Sequence, residues 1–420
     1  MTPNPKLSKI GIQQIKSIID DAVKDTSYGI PGLSVSISNT NGDDLLSYAN
    51  GKIGSQSNDL ITTDNIFWIA SCTKLLATVA ILQLVEQNKL KLDDSNHLEN
   101  LIPELKKLPI ISQNKDDGSL KLIKRSNNNN KITLRHLLTH TAGFGYQFFD
   151  ETTFEYYSQF GIDEFQLTNE TQFLIPLLFE PGSRFNYGLN IDVAGLALER
   201  VTGEKLGDYI KKHIYDPLGL KDSTFFPDEE LLQKLVHLHE RNLETDELIE
   251  KPHILLATKG YNSSQAIHSG GAGSFSKPRN YVQFLAAIIN DGVSPITGNR
   301  ILQKETVDSM FINQIPQFPD FGRQVLFAKR GISRSINDLY PQEGNPPQGW
   351  GLSFFINLTD LPTGRSAGSG FWCGISNVYY WFDRNKGIVG MIASQILPFP
   401  DPIVLKTWVE VETAVYSNLV

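Results

Sequence analysis

Cysteine is scarce in this chain of 420 residues, which contains only Cys72 and Cys373. Two cysteines are too few for a disulfide framework, and their spacing does not match that of a zinc site. We expect both to be small buried hydrophobic residues, with an oxidation-sensitive pair as the alternative.

The sequence also lacks long apolar runs and an excess of positive charge. No apolar stretch is long enough to span a membrane, and residues 1–9 contain no apolar signal region. We therefore expect a cytoplasmic protein without a membrane partner. The net charge of −8 argues against nucleic acid as a partner. Oligomeric state is not accessible from these features.

One short motif, Ser71-Cys72-Thr73-Lys74, places an amine one helical turn after a hydroxyl. It precedes an apolar run at 75–86 that predicts a buried helix, and residues three apart share a face of such a helix. Free N–H groups at a helix start favour an oxyanion, and burial favours the neutral lysine that can accept a serine proton. Ser71 is thus a candidate nucleophile and Lys74 its base. The alternative is a capping serine beside a surface charge.

The Ser-x-x-Lys spacing occurs twice more, at Ser112 with Lys115 and at Ser274 with Lys277. The first copy lies in a polar stretch that is typical of a solvated loop. In the second, Pro278 follows the lysine and disfavours a helix there. We interpret both copies as chance matches.

Strand patterns occupy both ends of the chain, while 75–255 is mainly helical in pattern. Residues 112–131 resemble an exposed insertion. The N-terminal part predicts a helix at 10–24, a strand at 32–38 with Asn41-Gly42 as its hairpin turn, and a short strand at 66–69. The C-terminal part predicts helices at 279–289 and 404–417 and strands at 349–356, 377–383 and 387–393.

These patterns predict an α+β fold with one antiparallel sheet flanked by helices and a mainly helical domain. We assign 1–70 and 260–420 to a discontinuous sheet domain and 71–259 to the helical domain. The active site is expected at their interface.

Four segments further along the chain share the order of a known superfamily. They are 133–144 (TLRHLLTHTAGF), 181–195 (PGSRFNYGLNIDVAG), 269–275 (SGGAGSF) and 370–375 (GFWCGI). Together with Ser71 and Lys74, they resemble the serine β-lactamase and penicillin-binding-protein superfamily. The likeness is strongest to the β-lactamase-like carboxylesterases of family VIII and to fungal acyltransferases that build statin side chains. The resemblance implies a β-lactamase/transpeptidase-like fold.

The resemblance also implies roles for particular residues. Tyr187 matches the catalytic tyrosine, and we expect the Lys74 ammonium to make its phenol more acidic, so that it shares the proton transfers. The alternative is a core tyrosine with a satisfied hydroxyl. The backbone N–H groups of Ser71 and Ile375 correspond to the oxyanion hole.

Two departures from the penicillin-recognising members bear on the substrate. Leu189 stands where those members have Asn, as in Tyr-x-Asn. The segment Trp372-Cys373-Gly374 replaces Lys-Thr-Gly, so the cation that would hold a carboxylate is missing. These three residues are therefore expected to contact an apolar acyl or alcohol group.

Two other features are interpreted as structural. His136 and His140, four residues apart, hint at a metal pair, but the Glu of a His-Glu-x-x-His site is missing. The glycine-rich segment 269–275 lacks the spacing of a nucleotide site, so we expect a turn with close backbone packing. No metal or organic cofactor is expected.

The sequence thus predicts a serine hydrolase or acyltransferase that acts through an acyl-Ser71 intermediate. Its substrate would be a small ester or thioester, with water or an alcohol as acceptor. Acyl-chain length would be set by the loops 146–165 and 320–347. The alternatives are a β-lactamase or D-Ala-D-Ala peptidase, and a non-catalytic scaffold of the same fold.

Overall fold

A computed structural model describes residues 4–24, 29–114, 116–125, 131–255 and 266–420. The α-helices in these ranges are α1 (Lys9–Ala22), α2 (Thr73–Glu86), α3 (Ser95–Leu101), α4 (Leu134–Leu138), α5 (Glu151–Ser158), α6 (Asn190–Thr202), α7 (Leu206–Ile210), α8 (Asp216–Leu218), α9 (Glu229–Leu232), α10 (Pro278–Ile289), α11 (Lys304–Met310) and α12 (Pro402–Ser417). None of them is both long enough and apolar enough to cross a membrane.

The strands of the described ranges are β1 (Gly32–Asn39), β2 (Asp44–Gly51), β3 (Phe67–Trp68), β4 (Ile110–Gln113), β5 (Leu120–Ile123), β6 (Leu238–Arg241), β7 (Leu248–Lys251), β8 (Phe275–Ser276), β9 (Gln348–Trp350), β10 (Phe355–Asn357), β11 (Gly370–Gly374), β12 (Val378–Asp383), β13 (Ile388–Ala393) and β14 (Ile396–Leu397). Short 3₁₀ segments lie at Ala70–Cys72, Pro103–Lys107 and Glu170–Phe173, and a π-helical turn lies at Lys211–Tyr215.

The main sheet has seven strands in the order β2-β1-β13-β12-β11-β10-β9. Every neighbouring pair in it is antiparallel. In the centre, Trp381 of β12 lies opposite Gly390 of β13, where a Cβ would approach the indole ring to 2.2 Å. The α+β class and the antiparallel sheet built from both ends of the chain are confirmed.

Helices cover the sheet on both sides. Helix α1 packs against β2 and α12, and α10 packs against β1, β12 and β13. Every residue of β1 is consequently buried, including the serines that alternate with its apolar side chains. The division into a sheet domain (1–70 and 260–420) and a helical domain (71–259) stays a prediction.

Helix α2 is apolar around its whole circumference, and residues 73–84 of it are all buried. Such a helix is stable only inside a protein core. It is packed against α6 and α7. The 3₁₀ segment Ala70–Cys72 joins α2 to β3 and contacts β11 of the main sheet. The start of the buried helix therefore lies beside the sheet.

Two expectations about local structure were wrong. The predicted strand at 349–356 is a hairpin of β9 and β10, because the chain reverses at Ser353, whose φ is +70°. Ser112 lies in β4, paired with β5, rather than in a solvated loop. The mainly helical stretch also contains the β6–β7 hairpin, which β14 extends by a parallel pairing. Lys115 and the Asn-rich residues 127–130 lie outside the described residues.

A buried ion pair ties β6 to the start of α12. Nε of Arg241 lies 2.5 Å from Oδ2 of Asp401, and both side chains are almost completely buried. Oδ1 of Asp401 accepts hydrogen bonds from the N–H groups of Ile403 and Val404, so the same carboxylate caps α12.

We expect Asp401→Asn to lower the free energy of unfolding by about 3 kcal/mol, because the cap survives while the buried guanidinium loses the opposite charge of Asp401. Urea unfolding would measure the change. The matched control is Asp21→Asn, which removes an exposed ion pair with Lys24 and should leave stability nearly unchanged. Equal effects of the two substitutions would contradict the importance of the buried pair.

Candidate active site

Ser71 lies in the 3₁₀ turn that connects β3 to α2. The preceding residue, Ala70, has φ = +43°, a conformation that non-glycine residues adopt rarely. Ser71 itself retains 8% of its surface exposure in an otherwise buried segment. The turn therefore places the Ser71 side chain at the N-terminal end of α2, where it keeps a small exposed surface.

Lys74, one turn further on, is completely buried. Its Nζ lies 3.0 Å from Oγ of Ser71 and donates to the carbonyl oxygen of Gly271 at 2.8 Å. The rings of Tyr187 and Tyr146 lie 4.7 and 5.0 Å from the same nitrogen. Burial lowers the pKa of Lys74 to about 7, although the charge of Asp192 partly opposes the shift. Near neutral pH a substantial fraction of this amine is unprotonated.

The carboxylate of Asp192, in the first turn of α6, supports the lysine indirectly. Its Oδ1 accepts hydrogen bonds from Ser269 Oγ at 2.6 Å and from the N–H of Gly271 at 2.9 Å. It thereby fixes the position of Gly271, whose carbonyl oxygen accepts the hydrogen bond from Lys74. Our sequence reasoning missed Asp192. The signal in the sequence was an acidic residue in the segment 181–195, which also carries Tyr187.

The glycine-rich segment is packed as closely as expected. A Cβ on Gly271 would lie 2.4 Å from Asp192 Oδ2 and 2.5 Å from Tyr146 Oη. A Cβ on Gly270 would lie 2.7 Å from the carbonyl oxygen of Ile191. Beyond the predicted structural turn, the segment supplies the carbonyl acceptor for Lys74.

Tyr187 lies in the loop before α6, and its ring lies beside the Lys74 amine. Nε1 of Trp372 donates to Tyr187 Oη at 2.9 Å, and the Ser71 hydroxyl is also hydrogen-bonded to this phenol. Burial raises the pKa of Tyr187 well above its usual value. The pKa is therefore not lowered as we expected, because desolvation outweighs the hydrogen bonds with Ser71 and Trp372, which lower it. Tyr187 is a neutral phenol at neutral pH.

The two histidines of segment 133–144 have different surroundings. His136 caps α4: its Nδ1 accepts from the N–H of Thr133, whose Oγ1 accepts from the N–H of His136. His140 is fully buried and packs against the ring of Tyr187 at a centroid distance of 4.5 Å. Within the described ranges, no three His, Cys, Asp or Glu side chains are grouped as metal ligands would be.

The end of β11 and the turn after it run beside the Ser71 turn. A Cβ on Gly374 would lie 2.6 Å from the carbonyl oxygen of Ile69, and Oγ of Ser376 donates to the carbonyl oxygen of Trp68 at 3.0 Å. Ile375, between these two contacts, is thus held next to the serine. The assignment of the N–H groups of Ser71 and Ile375 to an oxyanion hole stays a prediction.

The residues that replace Lys-Thr-Gly lie at the site, and the cysteines show no sign of reactivity. Trp372 contacts Tyr187, Gly374 contacts the serine turn, and Cys373 is partly exposed between them. Burial raises the pKa of Cys373 to about 12 and that of Cys72 well above its usual value. Both thiols are protonated at neutral pH, as expected for small hydrophobic residues.

The two loops that we expected to shape the acyl pocket contact each other. The N–H of Phe327 donates to the carbonyl oxygen of Phe149, and Lys329 forms an ion pair with Asp163 at 2.9 Å. The first loop also carries Tyr146, which packs against the Lys74 ammonium. The contacts connect both loops to the surroundings of Lys74.

A further serine motif, Gly364-Arg365-Ser366-Ala367-Gly368, has the Gly-x-Ser-x-Gly spacing of α/β-hydrolase nucleophiles. That role requires a sharp turn between a strand and a helix. Here the motif lies in the connection between the strands β10 and β11. The N–H of Ser366 donates to Asp383 Oδ2 at 2.8 Å, which makes the segment part of a structural turn.

Comparison with known proteins agrees with this geometry. The Beta-lactamase family model matches residues 15–413. Monacolin J acid methylbutanoyltransferase from Aspergillus terreus is 30% identical over 357 residues, which make up 83% of this chain and 81% of the relative. Lovastatin esterase from Penicillium rubens is 30% identical over 344 residues, or 80% of this chain and 81% of the relative.

A solved structure extends the likeness to almost the whole chain. The LovD6 mutant of simvastatin synthase from Aspergillus terreus superposes with a TM-score of 0.78 at 27% identity, covering 97% of this chain and 95% of that one. The β-lactamase/transpeptidase-like fold and the expectation of acyl transfer or ester hydrolysis are confirmed. The chain belongs to the beta-lactamase family and is an acyltransferase or esterase of that fold.

Proposed function

We propose that this protein transfers the acyl group of a small ester or thioester to water or an alcohol through an acyl-Ser71 intermediate. One observation carries the proposal: a fully buried lysine with a pKa of about 7 has its Nζ 3.0 Å from Oγ of Ser71. An amine of this kind is both close enough and basic enough to remove the serine proton near neutral pH.

In the acylation step, neutral Lys74 accepts the proton of Ser71 as Oγ bonds to the substrate carbonyl carbon. The oxyanion that forms is held by the backbone N–H groups of Ser71 and Ile375. Tyr187 donates its phenolic proton to the departing oxygen or sulfur as that bond breaks. The Lys74 ammonium then returns a proton to the phenolate, so both groups regain their starting states.

Deacylation reverses these steps with the acceptor in place of the leaving group. As the oxygen of water or an alcohol attacks the acyl carbonyl carbon, its proton passes through Tyr187 to Lys74, and the Lys74 ammonium protonates Ser71 Oγ as the bond between Oγ and the acyl carbon breaks. Trp372, Cys373 and Gly374 line the reacting centre on the β11 side. The apolar surface of Trp372 favours an uncharged acyl or alcohol group over a carboxylate. A cytoplasmic location stays a prediction.

We expect Ser71→Ala to lower kcat/KM for p-nitrophenyl butyrate by about 10³-fold or more, because it removes the nucleophile. The release of p-nitrophenol measures the rate. Ser112→Ala is the matched control, since Ser112 belongs to a second Ser-x-x-Lys copy in the exposed β4–β5 hairpin.

Turnover that survives Ser71→Ala would exclude Ser71 as the nucleophile. A wild-type protein that turns over no ester or thioester would instead support the non-catalytic scaffold.

The pH dependence of kcat/KM should show whether Lys74 acts as the base. Because only the neutral amine accepts a proton, kcat/KM should rise about tenfold per pH unit below pH 7 and level off above it. Lys74→Arg should abolish activity at every pH, since a guanidinium stays protonated. Lys277→Arg is the control: Lys277 pairs with Asp64 and Asp222 and should leave the profile unchanged. A profile that is flat between pH 5 and pH 9 would contradict this role.

Hydrolysis of nitrocefin tests the β-lactamase and peptidase alternative. The carboxylate of this β-lactam has no lysine at position 372 to bind it, so kcat/KM should be lower than for p-nitrophenyl butyrate by about 10²-fold or more. Both rates are measured on one enzyme preparation by absorbance. Comparable kcat/KM values for nitrocefin and p-nitrophenyl butyrate would favour the β-lactamase or peptidase alternative over an esterase.

A further inference from the structure

His140 holds the segment around Tyr187 from both sides. Its carbonyl oxygen accepts the N–H of Asn186 at 2.8 Å, and its Nδ1 accepts the N–H of Gly188 at 3.3 Å. The side-chain amide of Asn190 lies 3.0 Å from the same Nδ1. The residues before and after Tyr187 are thus both hydrogen-bonded to one histidine.

These hydrogen-bond partners determine the tautomer of the His140 imidazole. The N–H of Gly188 can only donate, so Nδ1 must be the acceptor and the ring proton lies on Nε2. Burial and the nearby Lys74 hold the pKa of His140 well below its usual range. The ring is therefore neutral at neutral pH, where it does not compete with Lys74 for a proton.

The imidazole ring of His140 also packs against one side of the Tyr187 ring. Its centroid lies 4.5 Å from that of Tyr187, and it meets the ring of Trp350 edge-on at 5.5 Å. Gly188 closes the other side, since a Cβ there would lie 2.2 Å from the carbonyl oxygen of Phe144. The phenol therefore has little freedom to move away from Trp372 and Ser71.

The backbone of His140 is held in an unusual conformation. Its φ is +53°, in the left-handed region that non-glycine residues adopt rarely. The neighbouring hydrogen bond from the N–H of Thr141 to the carbonyl oxygen of His136 keeps the turn in place. The turn directs both the carbonyl oxygen and Nδ1 of one residue at the same loop.

We propose that His140 is a positioning residue for Tyr187, which it holds where the phenol can protonate the leaving group. This inference rests on the proposed function. In the step concerned, the bond between the acyl carbon and the leaving oxygen breaks, and the phenolic proton moves to that oxygen. A p-nitrophenolate leaves readily without this proton, whereas an alkoxide does not. Loss of positioning should therefore affect alkyl esters most.

The test compares two substitutions at position 140 that differ in one property. His140→Gly relieves the positive φ but supplies no side-chain acceptor. His140→Asn also tolerates that φ, and its Oδ1 can take the place of Nδ1. His136→Ala is the control: it removes the cap partner of α4 in the same segment without touching either neighbour of Tyr187.

We expect His140→Gly to lower kcat/KM for ethyl butyrate by about 10²-fold and for p-nitrophenyl butyrate by less than about tenfold. Tyr187→Phe should show the same selective loss. His140→Asn should recover most of the ethyl ester activity, and His136→Ala should change both rates by one common factor. Equal losses on the two esters in His140→Gly, or no recovery in His140→Asn, would overturn the proposal.

Hydrogen exchange measured by mass spectrometry tests the positioning without using activity. The backbone amides of 186–190 should exchange faster in His140→Gly than in the wild type or in His140→Asn. Unchanged exchange in His140→Gly would also overturn the proposal. Absence of wild-type turnover on both esters would count against the proposed function, whereas the exchange result would still decide whether His140 holds this loop.

Discussion

The proposed chemistry of this protein depends on one buried amine, Lys74, held between the Ser71 hydroxyl and the Gly271 carbonyl. Burial lowers its pKa from 10.5 to about 7. Because the unfolded lysine keeps its usual pKa, the shift destabilises the folded state by about 5 kcal/mol at and below pH 7. This cost falls as the pH rises from 7 towards 10.5, where the unfolded lysine also loses its proton. The surrounding core must offset it, and the result is an amine that can act as a base.

The groups around this amine come from distant parts of the chain. Asp192 of α6 fixes the Gly271 peptide, Trp372 of β11 donates to Tyr187, and the end of β11 contacts the turn that carries Ser71. Each contact joins a helical element to the sheet or to the glycine-rich segment. The buried helix α2 provides the fixed point, because its whole surface is packed. A shift of any of these elements would alter the distances between Lys74, Ser71 and Tyr187.

Several elements were predictable because their signals are local. Helical spacing alone places Ser71 and Lys74 on one face, alternation marks β1, and short apolar runs mark β12 and β13. The hairpin of β9 and β10 was missed because its reversal at Ser353 depends on contacts with Leu138 and Met310 rather than on turn residues. Asp192 was missed for a similar reason, since its partners lie 77 and 79 positions away. A pattern within one segment carries no information about such contacts.

The protonation states of Lys74 and Tyr187 cannot be inferred from local sequence patterns. The order of residues from Ser71 to Lys74 is sufficient to bring a hydroxyl and an amine together, and the resemblance of the later segments identifies Tyr187 as the third group. Whether the amine or the phenol acts as the base depends on desolvation, which many side chains from separate segments produce together. The fold lowers the pKa of Lys74 and raises that of Tyr187. Only the assembled structure makes this decision, because burial is a property of the whole core and not of any one segment.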